Sequence, residues 1–456
     1  MKKERTLGAL ALAGALLMAA ALSSCGQGAP EPQAAGAAPS AASKVAVLLT
    51  DCPTREFSRV MVTFTEIQLV SHGGKVTVFS GEGTFDLLDL ENETALVTLA
   101  GGVPAGTYNK IRLRVSGVEL YGPDGALITE PPVKLRGKGK LDLKPKKPFT
   151  VEPGETLALR LDFDARKSIK LFKNKKMYVL RPVIFVDVIK IVQAPAPAPD
   201  PVPSARKLLR VTGAASAIDA GAGAFQLLSA QGGGAVEVDA SGASFFNAAS
   251  YGGPASIANL AEGGTVTVLG TMDGAGAIHA AVVEIGPFTK LTGTIASGVD
   301  PASGRFLFVP DPASENPNPY PAILQSGTKI YSSGGDPLDA SALADGVRAE
   351  LDAFVIYGDL GPPILNTAFI SVGDPGADEQ ALPATVSAAS VVSEAPCVTY
   401  AEDASVMLLT SGADWVTSEY VDMGALEAGE EADLYGAFDP ATGCFEARTV
   451  VVEREK

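Results

Sequence analysis

The chain has few of the residues that bind metals or hold cofactors. Its 456 residues include two histidines, four cysteines and one tryptophan, and aromatic side chains make up only 6%. His72 and His279 lie far apart and no Cys-x-x-Cys-His sequence occurs, which argues against zinc or haem ligation and excludes a c-type cytochrome. No phosphate-binding glycine loop opens a helix, and no Ser-His-Asp set can be assigned. The sequence therefore predicts no cofactor and no enzyme of these classes.

An apolar run at residues 7–22 is too short to span a membrane stably. It follows a charged start and ends in Leu22-Ser23-Ser24-Cys25. This pattern resembles the lipobox of bacterial lipoprotein signals. The resemblance implies that residues 1–24 are removed and that Cys25 carries acyl chains, palmitate among them. An ordinary signal peptide with an incidental cysteine is the alternative.

The residue after the predicted lipidation site bears on localisation. It is Gly26 rather than Asp, the residue that retains lipoproteins at the inner membrane in Gram-negative sorting, so the resemblance favours the outer membrane of the cell envelope. Residues 25–43 are rich in Ala, Pro, Gly and Ser. Such a segment buries too little apolar surface to fold, so we expect a flexible tether.

Charge is unevenly distributed along the chain, whose net charge is −16. Residues 44–193 hold 23 Lys and Arg against 17 Asp and Glu, a balance of +6. Residues 296–456 hold 6 against 26, a balance of −20. The acidic half argues against nucleic acid as a partner.

Residues 44–193 form the predicted first domain. The 49 glycines and 32 prolines of the chain indicate many turns. A buried strand is expected at residues 45–49, and alternating strands at 60–65, 110–115 and 157–164. One strand over residues 178–186 closes the domain, with a turn of helix near 165–172. These features predict an antiparallel β-sandwich in an all-β protein.

Several motifs of this domain resemble one family, an uncharacterised domain found at the N-terminus of bacterial and archaeal surface lipoproteins. They are Leu49-Thr50-Asp51-Cys52-Pro53, Phe85-Asp86-Leu87-Leu88, Pro104-Ala105-Gly106-Thr107-Tyr108 and the segment from Asp162 to Ile169. Cys52 departs from the small residue expected there, and is read as a small buried side chain rather than a reactive thiol. The family carries no agreed activity.

A Pro- and Ala-rich linker is predicted at residues 194–205, near polyproline II. Three loosely repeated β-barrels should follow, at residues 206–287, 288–374 and 382–456. Gly270, Gly358 and Gly436 lie 88 and 78 residues apart and suggest the repeat length. The Gly- and Val-rich strands resemble an uncharacterised bacterial repeat of OB-like barrels. The sequence thus predicts an N-terminal sandwich and about three small OB-like barrels, strung in series.

Three groups of residues are candidate sites. Cys397 and Cys444 share the last module of an exported protein, so we expect a disulfide. Asp51, Asp162 and Asp164 could supply oxygen ligands to calcium if they converge, or each could cap a turn or pair with a lysine.

The third group is cationic. Lys134, Arg136, Lys138 and Lys140 alternate, which on a strand places all four on one face. This face could bind an anionic envelope glycan or lipid headgroups, or could be a solvated sheet edge.

The sequence as a whole favours a non-catalytic envelope lipoprotein that binds or scaffolds. Its expected partners are the membrane through the lipid anchor and an anionic envelope glycan or another envelope protein. The alternative is an envelope-associated hydrolase with an Asp/Glu pair on the β-scaffold, which would need a cleft and a carboxyl of raised pKa.

Overall fold

The computed structural model describes residues 42–51, 56–90, 93–172, 176–191, 208–230, 234–311, 319–358, 362–373, 379–387 and 390–455. Strands account for 65% and helices for 6%, which confirms the all-β prediction. The predicted signal, lipidation site and linker, Cys52 and nearly all of the tether lie outside the described residues. Within the described ranges, no helix is both long and apolar enough to cross a membrane.

The first module, here called the sandwich, contains thirteen strands within the described ranges. Its helix α1 covers Ala165–Ser168, and 3-10 turns cover Leu88–Leu90 and Arg136–Gly139. The strands are β1 (Lys44–Thr50), β2 (Arg59–Ser71), β3 (Gly74–Asp86), β4 (Glu93–Gly101), β5 (Gly106–Tyr108), β6 (Lys110–Tyr121), β7 (Val133–Leu135), β8 (Lys140–Lys144), β9 (Phe149–Val151), β10 (Thr156–Phe163), β11 (Ile169–Phe172), β12 (Met177–Leu180) and β13 (Ile184–Ile191).

Two sheets pack face to face in the sandwich. Strands β13-β10-β1-β4 form one layer and β8-β6-β2-β3 the other. The alternation predicted for β2 and β6 is confirmed, because their apolar positions point into the shared core with Val47, Phe64 and Leu159. Strand β1 is buried on both faces, since Ala46 and Leu48 face away from that core and pack against the next module.

Two details of the sandwich differ from the prediction. Strand β1 pairs with β10 in parallel, as β7 does with β12, so the module is not purely antiparallel. The single strand expected over residues 178–186 is two strands, β12 and β13, because Pro182 between them lacks the N–H that a continuous ladder requires. The predicted helical turn is α1, followed directly by β11.

Three further groups of strands form barrels 1, 2 and 3, with 3-10 turns at Ala248–Ser250, Ile257–Asn259, Ala340–Ala342 and Met423–Ala425. Barrel 1 contains β14 (Leu208–Asp219), β15 (Ala224–Ser229), β16 (Ala235–Asp239), β17 (Ser244–Asn247), β18 (Gly253–Ala255), β19 (Thr265–Met272) and β20 (Ile278–Ile285). Barrel 2 contains β21 (Thr289–Asp300), β22 (Arg305–Pro310), β23 (Tyr320–Ser332), β24 (Pro337–Leu338), β25 (Arg348–Ile356) and β26 (Ile364–Val372). Barrel 3 contains β27 (Gln380–Ser387), β28 (Ser390–Ser393), β29 (Val398–Ser411), β30 (Val416–Tyr420), β31 (Glu431–Phe438) and β32 (Phe445–Glu455).

The barrels share one order of strands. In barrel 1 the closed ring is β14-β15-β16-β20-β19, and in barrel 2 it is β21-β22-β23-β26-β25. Each ring contains one parallel pair, β16 with β20 and β23 with β26. Barrel 3 repeats this order, but in the described residues β28 pairs with β27 and not with β29.

The true repeat length is 83 residues, and the role predicted for Gly358 is wrong. Strands β19, β25 and β31, each the fourth strand of its barrel ring in chain order, have a register shift immediately before Gly270, Ala353 and Gly436, which are 83 residues apart in both steps. Gly358 lies beyond the end of β25. The sequence pattern misled because the equivalent position in barrel 2 is alanine.

The modules are joined through their sheets rather than strung in series. Strand β14 of barrel 1 pairs in parallel with β4 of the sandwich, and β30 of barrel 3 pairs in parallel with β8. Sheets of 11 and 10 strands therefore run from the sandwich into barrels 1 and 3. The described residues accordingly belong to one compact unit.

The predicted disulfide is confirmed. Cys397, just before β29, bonds to Cys444, just before β32, with the two Cα atoms 4.8 Å apart. The bond thus fixes together the starts of two strands that pair in parallel.

The bulge in the fourth strand of barrel 3 gives a first testable prediction. A Cβ added to Gly436 would lie 1.9 Å from the carbonyl oxygen of Glu446, so Gly436→Ala requires a backbone shift. We expect a loss of about 1–3 kcal/mol in the free energy of unfolding, measured by urea denaturation. Gly424→Ala is the control, because nothing lies within 4 Å of its Cβ position. Equal stability of the two variants would contradict this account.

Candidate functional site

The four cations predicted to share a strand face do not do so. Strand β7 ends before Arg136, a 3-10 turn covers Arg136–Gly139, and β8 begins at Lys140. The turn forms because Gly137 and Lys138 have φ angles of 58° and 52°, in the left-handed region that glycine adopts readily. Gly137 also lies against the backbone of Trp415, where a Cβ would be 2.5 Å from a carbonyl carbon.

Two of these cations pair with carboxylates of barrel 3. The guanidinium of Arg136 lies 3.0 Å from Glu453 and donates to the hydroxyl of Ser411 at 3.1 Å. Lys138 lies 2.6 Å from Asp414. An anion does face this part of the sandwich, but it is supplied by the same chain.

Further ion pairs extend along the same junction between the sandwich and barrel 3. Arg181 is nearly fully buried and bonds to both Asp433 and Glu453. Burial by itself lowers the pKa of the Arg181 guanidinium, but Tyr435 and the two anions raise it by more, so the pKa is raised overall. The other pairs are Lys144 with Glu419, Lys170 with Asp433, and both Arg166 and Lys167 with Glu379. Basic residues of the sandwich and acidic residues of barrel 3 therefore pair with each other at an internal junction.

Two of the three aspartates considered as calcium ligands, Asp51 and Asp164, accept hydrogen bonds from backbone N–H groups of the sandwich. Asp164 caps α1 by accepting from the N–H of Lys167 at 2.9 Å, and it also pairs with the ammonium of Lys167. Asp51 accepts from the N–H of Ala165 at 2.8 Å, while Asp162 lies in β10 opposite Phe185. Among the described residues, no three Asp, Glu, His or Cys side chains are grouped to hold a metal ion. This geometry gives the calcium prediction no support.

A second set of charges lies where the sandwich meets barrels 1 and 2. We call it the buried ionic cluster, and its members are Glu93, Arg210, Glu284, Lys290, Glu350 and Asp352. Arg210 lies 2.5 Å from Asp352, 3.3 Å from Glu93 and 3.6 Å from Glu284. Lys290 lies 2.8 Å from Glu93 and 3.0 Å from Glu350. The four carboxyl side chains are at most 3% exposed.

Burial raises the carboxyl pKa of Glu284, Glu350 and Asp352, although Arg210 opposes it at Asp352, whereas the pKa of Glu93 is lowered. Burial raises the pKa of Glu350 to about 8, and it raises the pKa of Glu284 well above the usual range, with the charge of Asp352 adding to the effect. Burial opposes ionisation of Glu93 too, but Lys290 and Arg210 together outweigh it and lower the pKa. Glu93 is therefore the carboxylate that holds both cations.

In all three barrels, the outer face of the strand that carries the register shift (β19, β25 or β31) contacts a neighbouring module. Leu269, Asp352 and Tyr435 occupy equivalent positions, one residue before the bulge. Leu269 packs with Phe369 of barrel 2, Asp352 binds Arg210 of barrel 1, and Tyr435 packs with Val183 of the sandwich. One surface of the barrel has thus been adapted three times to three neighbours.

The buried ionic cluster was not predicted, because a single charged residue in a strand looks solvent-exposed in sequence. The repeat carries a signal that could have found it. Arg210 and Lys290 each lie three residues before a glycine of the first strand, Gly213 and Gly293, in strands with no other charged residue until their final aspartate. A cation recurring at one position of a buried strand indicates a buried partner.

A cleft of about 450 Å³ lies between the sandwich and barrel 3. Burial would raise the pKa of its Asp433, but Arg181 and Lys170 outweigh burial and lower it. The cleft is lined by Lys170, Phe172, Arg181, Pro383, Ala384, Thr385, Val392, Ser393, Glu394, Glu431, Ala432, Asp433 and Glu453. Glu284 and Glu350, whose carboxyl pKa values are raised, do not line it and are 0% and 2% exposed.

Comparison with known protein families matches the first module of the chain. Residues 42–182 match the family described as "Domain of unknown function (DUF4382)". The match covers the sandwich as far as Pro182, between β12 and β13, in agreement with the resemblance to an uncharacterised N-terminal domain. No curated protein matches the chain.

Removing a cation from the buried ionic cluster should cost more than removing one from the surface. Arg210→Met would leave Glu93 and Asp352 short of a buried partner, and we expect a loss of about 3–5 kcal/mol in the free energy of unfolding. Arg305→Met is the control, because Arg305 is exposed on β22. Chemical denaturation at pH 7 measures both. A loss below about 1 kcal/mol for Arg210→Met would show that the cluster does not stabilise the junction.

Proposed function

We propose that this protein is a non-catalytic lipoprotein of the bacterial cell envelope, in which one lipid anchor carries a fused set of β-modules for binding or scaffolding. The supporting observation is that multi-residue ion-pair networks of the described residues join one module to another, at the junctions of the sandwich with the barrels. They hold the sandwich and barrels together. Such a body presents a large, fixed surface to a partner.

The anchor is proposed from sequence. Leu22-Ser23-Ser24-Cys25 supports lipidation of Cys25 after cleavage, and Gly26 favours the outer membrane. When the five ring strands are numbered in chain order, barrels 1 and 2 both have the spatial order 1-2-3-5-4, which supports an OB-like class for the repeats. OB-like folds host many different functions, so this fold class does not identify a ligand.

The hydrolase alternative needs an accessible cleft and a carboxyl of raised pKa in the same place. In the cleft beside barrel 3, Asp433 has a lowered carboxyl pKa and is occupied by Arg181 and Lys170. Glu284 and Glu350 have raised carboxyl pKa values but are buried beyond the reach of a substrate. This separation favours the non-catalytic function.

The proposed partners are an anionic envelope glycan or another envelope protein. Arg136 and Lys138 already face Glu453 and Asp414, which weakens the original four-residue surface. Lys134 and Lys147 remain exposed on the sandwich and are the cations better suited to an external anion. Lys140 is half-buried at the start of β8.

The anchor is tested by substitution of the lipidated cysteine. Cys25→Ser should move the protein from the membrane fraction to the soluble fraction of the producing cell, because a plain chain lacks the acyl groups that insert into lipid. Metabolic labelling with radioactive palmitate should be lost in parallel. Ser24→Ala is the control and should stay membrane-bound. Membrane retention of Cys25→Ser without label would contradict lipid anchoring.

The proposed binding of an anionic glycan is tested by measuring retention of the protein on an immobilised anionic polysaccharide at low and high salt. Lys134→Gln with Lys147→Gln should lower retention several-fold at low salt, and added salt should abolish retention of the unaltered protein. The control is Lys75→Gln with Lys190→Gln, which removes the same charge elsewhere on the sandwich. If both pairs behave alike, or nothing is retained, the glycan is excluded and co-purification should seek a protein partner.

A further inference from the structure

The buried ionic cluster joins three modules that are distant in sequence. Glu93 opens β4 of the sandwich, Arg210 and Glu284 belong to barrel 1, and Lys290, Glu350 and Asp352 belong to barrel 2. It lies beside the seam in which Leu208, Leu209 and Arg210 of β14 pair with the first residues of β4. Any change in the charge of the cluster therefore acts on this seam.

The cluster contains more acids than bases. Four carboxyls face two cations, so full ionisation would leave a net charge of −2 among carboxyl side chains that are at most 3% exposed. An uncompensated charge that is buried in this way is strongly unfavourable. Two bound protons make the cluster neutral.

Two carboxyls are suited to hold those protons. Both oxygens of Glu284 are buried and lack a hydrogen-bond partner in the described residues, a state that is much less costly for a neutral carboxyl than for a carboxylate. The second is Glu350, which shares Lys290 with Glu93. The carboxyl pKa values of Glu284 and Glu350 are both raised, which agrees with their holding these protons. Asp89, in the 3-10 turn before β4, is a further titratable group near the cluster.

We propose that the buried ionic cluster is a proton-dependent latch, which closes the junction of the sandwich with barrels 1 and 2 in acidic medium and loosens it as the pH rises. Opening would let water reach the cluster, and Glu284 and Glu350 would then ionise at ordinary carboxyl pKa values. The closed form holds their protons and the open form releases them. An envelope protein is exposed to the pH of the surroundings, so the junction would respond to it.

The sign of the effect follows from proton linkage. A carboxyl whose pKa is raised in the closed form stabilises that form fully below its ordinary pKa near 4.5, and this stabilisation is lost as the pH rises through the raised value, about 8 for Glu350. Between these limits the opening constant should rise about tenfold per pH unit for each proton released. The pKa of Glu93 is lowered, so Glu93 makes the closed form less stable as the pH falls, but only below its ordinary pKa near 4.5.

Backbone hydrogen exchange of the full chain in mild detergent tests the latch between pH 6 and 8. After correction for intrinsic rates, amides of the β4–β14 seam should lose protection about tenfold or more per pH unit. Amides of the β8–β30 seam, which lies away from the cluster, should show no such slope. Glu350→Gln should reduce the slope by about one tenfold step per unit, and Glu284→Gln with Glu350→Gln should abolish it.

The matched control is Glu394→Gln with Glu431→Gln, which removes two exposed carboxyls from barrel 3 and should keep the original slope. The latch is overturned if the unaltered protein shows no slope at the β4–β14 seam, if both seams lose protection together, or if the Glu284/Glu350 variant keeps the slope. If that variant does not fold, the comparison of the two seams in the unaltered protein decides the matter alone.

Discussion

The structure depends on the pairing of two open edges of the sandwich. Strands β4 and β8 would each leave a row of backbone N–H and C=O groups without partners, and each instead receives a parallel strand from a barrel. Because these ladders are short, with three and four residue pairs, the backbone alone could slip in register or accept another strand. Side-chain contacts around the seams have to fix the pairing.

Charged side chains provide that specificity at both seams, buried at the β4–β14 seam and partly exposed at the β8–β30 seam. Glu93 is the first residue of β4 and binds cations from two barrels, so a one-residue slip of β14 would separate Arg210 from it. Lys144 and Glu419 do the same at the end of the β8–β30 ladder. Buried ion pairs contribute little net free energy compared with apolar packing, but a wrong partner leaves them unpaired at high cost. The apolar contacts of Leu269 with Phe369 and of Tyr435 with Val183 then supply the apolar surface that is buried between the modules.

Much of the fold could be predicted from local sequence, and little of the assembly could. Alternation found β2 and β6, and the exported context found the bond between Cys397 and Cys444. The break at Pro182 and the turn at Gly137 were missed because the apolar and basic patterns continue through both. The partners of Arg181 and Arg210 lie more than 100 residues away, at Asp433 and Asp352, where no periodicity connects them. A charged residue in a strand looks the same in sequence whether water or another module covers it.

The seam between β8 and β30 also constrains how the molecule is made. Leu141 pairs with Val416, so a ribosome that has just finished β8 must add 275 more residues before its partner exists. At a synthesis rate of about 5–20 residues per second this takes about 14 to 55 s, far longer than a small β-domain needs to collapse. During that interval the sandwich is an incomplete template for any extended chain nearby. The nascent protein is therefore most vulnerable to misassembly before its last barrel emerges.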